Sequence, residues 1–139
     1  MTKKALMIKR AVLLLLLPLA GAAAIAGCGG DSAPKTTVNV TLQEWQVSPS
    51  AKSIESGKVK FLVTNNGTMT HELADVQVDA DGNKREVAEV EDVGAGTTAE
   101  FTANLKAGRY ELACLLVPGE AGATVDHYQQ GMHTEFTVD

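Results

Sequence analysis

From residue 36 onwards, apolar residues fall on every second position in short runs, and turn-forming residues break each run. That period puts alternate side chains on opposite faces of an extended chain, so one face can be buried while the other is wetted. Val38-Asn39-Val40-Thr41-Leu42 is the first such run, and Trp45 and Val47 continue its apolar face until Ser48-Pro49-Ser50 ends it. After Gly57, Val59, Phe61 and Val63 share a face, and Asn65-Asn66-Gly67-Thr68 then signals a turn. Over residues 72–78 the alternation changes phase between Leu73 and Val76, which predicts a bulge or bend near Ala74. Residues 79–85 read as a hairpin connection, and a weaker segment at 86–90 leads to a turn at Gly94. Further strands are expected at 98–105, with Ala99, Phe101, Ala103 and Leu105 inward, at 109–114, and at 133–138, with Phe136 and Val138 inward. No segment sustains a helical period. The expected fold is all-β, a Greek-key β-sandwich or barrel of about seven to eight strands.

The N-terminus obeys different rules. Lys3, Lys4, Lys9 and Arg10 precede an uncharged apolar run at 11–26 that Pro18 interrupts, short for a membrane span of about 20 residues. It ends in Ile25-Ala26-Gly27-Cys28, which resembles a bacterial lipobox: a branched aliphatic residue, two small residues and the cysteine that takes the lipid. Residues 1–27 are expected to be a lipoprotein signal peptide, 28–36 a lipid anchor and flexible tether, and 37–139 the folded domain. The alternative is an uncleaved anchor helix with a chance cysteine. Both put the domain on the extracytoplasmic face of the cell membrane, and two or more acyl chains on Cys28 would hold it there stably.

Four of the 12 Lys and Arg residues lie in that leader and none of the 17 Asp and Glu does, so the remaining 112 residues carry a net charge near −9. This acidity argues against a nucleic-acid partner and suits a cationic protein or metal ions. The remainder is long enough for one small domain, and nothing in it suggests more than a monomer.

With Cys28 lipidated, Cys114 has no intramolecular disulfide partner, and a free thiol outside the cytoplasm is a liability unless buried or bound to metal. The other soft or nitrogen donors are His71, His127 and Met132. A thiolate, two imidazoles and a thioether are the ligand set of a mononuclear copper site. Taken singly, each has an ordinary explanation: a hydrogen-bonded turn histidine, a packed strand-end cysteine, a solvated loop histidine, a core methionine. Met69 and His133 are spare donors, and Glu72 is either a support for the neighbouring ring or a solvated strand residue.

The order of these residues on the strand pattern resembles the cupredoxin family. Asn65-Asn66-Gly67-Thr68-Met69-Thr70-His71 matches its first ligand block, and residues 108–114, then Pro118-Gly119 and His127-Tyr128-Gln129-Gln130-Gly131-Met132, match its second. The resemblance implies His71, Cys114 and His127 as a trigonal ligand plane for one copper, with Met132 as a weak axial contact. It also implies electron transfer with a redox or copper-handling protein outside the membrane. One feature departs from the family: twelve residues separate Cys114 from His127, where two to four are common. The insertion either loops outward and returns His127 to its place, the expectation favoured here, or lets Glu120 stand in for it. A longer loop is also expected to leave the site more exposed. No nucleophile elbow, zinc-protease helix or phosphate loop is present, so the chain does not read as an enzyme. A copper carrier using the same site and a metal-free interaction module are the alternatives.

Overall fold

The computed structural model describes residues 32–139, and the expected signal peptide at 1–27 and Cys28 lie outside the described residues. Nine strands form two sheets, and no helix occurs among the described residues. They are β1 (Thr36–Gln43), β2 (Gln46–Pro49), β3 (Ser53–Ile54), β4 (Gly57–Asn65), β5 (His71–Val78), β6 (Lys84–Val93), β7 (Thr98–Leu105), β8 (Gly108–Ala113) and β9 (His133–Val138). One sheet has the order β2-β1-β4-β7 and the other β3-β9-β8-β5-β6. The β1–β4 and β3–β9 pairs are parallel and the remaining pairs antiparallel.

The expected all-β sandwich is present, with nine strands instead of seven to eight. The surplus arises at the start. What reads as one apolar face through Trp45 and Val47 is a hairpin: the chain reverses at Glu44-Trp45, a cis peptide, and β2 pairs back on β1 with Leu42 opposite Val47. The short β3 adds the other strand, pairing Ile54 with Val138.

The alternation places its residues as expected. Val38, Val40 and Leu42 of β1, Val59, Phe61 and Val63 of β4, and Ala103 and Leu105 of β7 meet Leu112, Phe136 and Val138 from the other sheet in one core. Phe61 stacks on its cross-strand partner Phe101 and meets Phe136 edge-on at 6.1 Å between centroids, so a single ring ties the two sheets.

The bulge or bend anticipated near Ala74 is matched by register shifts in the β5–β6 pair, and the phase change in β5 has a further cause. The strand is buried on both faces: Leu73 joins the main core, while Ala74 and Val76 join a second cluster with Ala113 that Leu115 and Tyr128 cover. The register shifts do flank Ala74, but the extra residues lie in β6, the more exposed partner. A strand covered on both faces loses the two-residue alternation that sequence reading relies on.

Candidate metal centre

The site is built where the start of β5 meets the end of β8. Asn65, the last residue of β4, is fully buried and acts as a latch: its side-chain amide donates to the carbonyls of Met69 and Val93, both at 2.7 Å. Its carbonyl oxygen accepts from Gly67 N–H at 2.8 Å, closing the turn that delivers His71. Glu44 holds the same turn from the β1–β2 hairpin. Its Oε1 accepts from the backbone N–H of Thr68 and of Met69, each at 2.8 Å, and lies 3.4 Å from His71 Nε2. The last contact sets a carboxylate beside a ring whose charging burial disfavours, and it lacks the geometry of a hydrogen bond.

Cys114 follows directly on β8, and its N–H donates to Met132 O at 2.9 Å. From the other side, Glu72 N–H points at Cys114 Sγ at 3.5 Å, and Glu72 Oε1 accepts from Leu115 N–H at 2.9 Å. Glu72 therefore ties the two ligand-bearing segments together, a role the sequence left open between support and solvated residue.

The insertion behaves as an outward loop. His127 N–H donates to Leu116 O at 2.9 Å, a neck that cinches residues 117–126 and leaves His127 beside the strand end. Within the loop, Gly119 pairs with Ala123, whose side chain is buried in the main core. Asp126 then caps the return, taking Gln129 N–H on Oδ1 at 2.9 Å, and Met132 N–H closes onto His127 O at 3.1 Å. Gly131 sits at φ 114°, a backbone conformation in which any side chain would be strained. Contrary to the expectation of an exposed site, His71, Cys114, His127 and Met132 are each at 0% exposure. The Trp45 ring packs edge-on against His127 at 5.3 Å as part of that burial.

Three donor atoms converge. His71 Nδ1 and His127 Nδ1 are 3.2 Å apart, and Cys114 Sγ is 3.3 Å from His127 Nδ1. Ring nitrogens that share one ion at about 2.0 Å lie no more than about 4 Å apart, and this pair is inside that limit. Among the described residues this is the one group of three such donors that is wholly buried. Burial, reinforced at His71 by the neighbouring His127, lowers both imidazole pKa values and so favours the neutral rings that a metal would need. Burial raises that of the Cys114 thiol, so a bound cation has to displace its proton. At Glu44, burial opposes ionisation, but the backbone N–H groups of Glu44, Met69 and Thr68, with His71 nearby, outweigh it and bring the pKa to about 2. A thiolate with two neutral imidazoles fits a type 1 copper site.

The cupredoxin-like domain model matches residues 10–125, most of the chain. The chain belongs to that family. Among solved structures, reduced auracyanin from Roseiflexus castenholzii shares the fold at TM-score 0.58 and 19% identity, over 77% of this chain and 99% of that one. Auracyanin A, a "blue" copper protein from Chloroflexus aurantiacus, does so at 0.53 and 20%, over 74% and 98%. In sequence, the iron uptake system component EfeO of Yersinia pseudotuberculosis is 32% identical over 88 residues, covering 61% of this chain and 21% of that protein. EfeO of Escherichia coli K12 is 30% identical over 105 residues, covering 67% and 26%. This cupredoxin-like chain thus spans about a fifth to a quarter of the length of those relatives.

Glu120 and His133 are not members of the buried donor group. Glu120 Oε2 accepts from Val117 N–H at 3.2 Å, and the residue is exposed on an acidic depression shared with Glu86, Glu89, Glu91 and Asp92. His133 stacks on Tyr128 at 4.2 Å, and Met69 contributes its carbonyl to Asn65. Sequence reasoning missed Glu44, and it read Trp45 only as part of an apolar face and Asn65 only as part of a turn and its following block. Only the Asn65-Asn66-Gly67 turn signal pointed near them.

Proposed function

We propose that this cupredoxin-like protein is a lipid-anchored extracytoplasmic electron carrier, not an enzyme. In this reading His71, Cys114 and His127 would hold one copper, with the buried Met132 as a candidate fourth donor. The observation that carries the reading is the burial of two Nδ1 atoms and one Sγ within 4.8 Å of one another. Copper supplies the one-electron couple, and the thiolate couples it electronically to the protein. The residues supply rigidity: the Asn65 latch, the Leu116–His127 neck and the Cys114–Met132 bond pin every ligand segment to backbone, so donors that move little make electron exchange cheap. Anchorage rests on Cys28 and its lipobox, and the net charge near −9 favours a basic redox partner for the monomer.

A second reading draws support from the EfeO relatives, named as components of iron uptake: the same site would hand on metal within an uptake system. Voltammetry of the copper-loaded full-length protein separates the two. A reversible one-electron wave with fast exchange supports the carrier of electrons. Tight Cu(I) binding without a reversible wave supports metal handling. For the anchor, Cys28→Ser is expected to move the protein from the membrane fraction to the soluble one, and its persistence in the membrane would contradict lipidation.

A further inference from the structure

Glu44 touches no donor atom of the cluster, yet it lies behind one of them. Its carboxylate is seated in a space that only glycine at position 67 leaves open. A Cβ on Gly67 would meet Glu44 Oε1 at 2.6 Å, Oε2 at 2.7 Å and the carboxyl carbon at 2.9 Å. Two main-chain donors, Thr68 N–H and Met69 N–H, hold Oε1 there, and the same oxygen is 3.4 Å from His71 Nε2. The hairpin that carries it also carries Trp45, packed edge-on against His127, so one turn of chain abuts both imidazoles.

We propose that Glu44 is a positioning residue of the metal centre: seated over Gly67 on the Thr68 and Met69 amides, its carboxylate fixes the His71 ring with Nδ1 turned toward Cys114 and His127, and biases bound copper toward its oxidised form. The first half is a tautomer argument. A neutral imidazole carries one N–H, and a carboxylate beside Nε2 favours the proton there, which leaves the Nδ1 lone pair for the ligand position. The second half is Coulombic. A negative charge one ring away from the metal stabilises the dication more than the monocation, and a side chain only 24% exposed is weakly screened. The inference rests on the copper reading for its second half and is independent of it for the first.

The test uses full-length protein as wild type, Glu44→Gln and Gly67→Ala. Glutamine keeps the shape and an acceptor for the loop amides but removes the charge. The alanine methyl displaces the carboxylate without removing it from the chain. In metal-free protein, imidazole ¹⁵N shifts are expected to report His71 as the Nε2–H tautomer in wild type and as a mixture in both variants. In competition titrations, the ratio of Cu(II) to Cu(I) affinity is expected to fall about tenfold in Glu44→Gln, equivalent to about 59 mV in potential. An unchanged tautomer in both variants overturns the positioning role. Equal losses for the two oxidation states overturn the charge role and leave a purely structural one. Failure of wild type to bind copper sinks the copper reading and the charge role with it, while the tautomer measurement still decides the positioning role.

Discussion

Asp75 is the residue whose chemistry is least reconciled with its surroundings. It is fully buried, sits opposite Ala88 and Leu112 on the flanking strands, and neither carboxyl oxygen has a hydrogen-bond partner among the described residues. Burial alone pushes its pKa from 3.8 to about 7. The folded state therefore holds a proton that the unfolded chain has already released, and stability falls as pH rises between those values, levelling off above about 7. At about 1.4 kcal/mol per unit the full effect is on the order of 4 kcal/mol. Urea unfolding of Asp75→Asn is expected to lose this slope and to exceed wild type in stability at pH 8; an equal slope in both proteins would contradict the assignment. At the centre itself, Glu120→Ala is expected to leave copper affinity within a few-fold of wild type, whereas His127→Ala should lower it by at least 100-fold, measured by chelator competition. The convergence of His71, Cys114 and His127 was legible because their types and order are themselves chemical information, while for Met132 the structure adds only that it is buried. Glu44 was not, since a glutamate between Gln43 and Trp45 reads as a solvated strand residue until the hairpin folds it under the ligand turn.

The strands themselves were legible wherever one face is dry and one is wet, as in β4 and β7. Legibility was incomplete at two kinds of element. Strand β5, buried on both faces, presents no simple alternation, so its phase change marked the irregularity near Ala74 but not that the extra residues lie in β6. The β1–β2 reversal lacks a glycine or proline at its tip, so no turn chemistry announced it. The insertion between Cys114 and His127 shows why spacing alone misleads: a single bond from His127 N–H to Leu116 O closes it and makes its length nearly irrelevant to ligand geometry. Removing residues 119–124 is therefore expected to retain copper binding, with a loss of stability as Ala123 leaves the core. Complete loss of binding would show that the loop builds the site and does not merely bypass it. Trp45→Ala should speed exchange of the metal, because it strips the ring that lies against His127.

Across the whole molecule, the sandwich holds two histidine-bearing turns and a strand-end thiol at one rim, and the metal should in turn hold the fold together. A ligand present at 100 times its dissociation constant stabilises by about 2.7 kcal/mol, which for a domain of this size raises Tm by roughly 10 °C. Calorimetry is expected to find that rise with copper in wild type and a much smaller one in Cys114→Ser. The central claim is that a buried thiolate and two imidazoles bind copper directly, and the visible absorption of the Cu(II)-loaded full-length protein tests it most directly. An intense thiolate-to-copper charge-transfer band, saturating at one equivalent and absent from Cys114→Ser, is the predicted result. Copper bound without that band, or a band that survives the loss of the Cys114 sulfur, would contradict it.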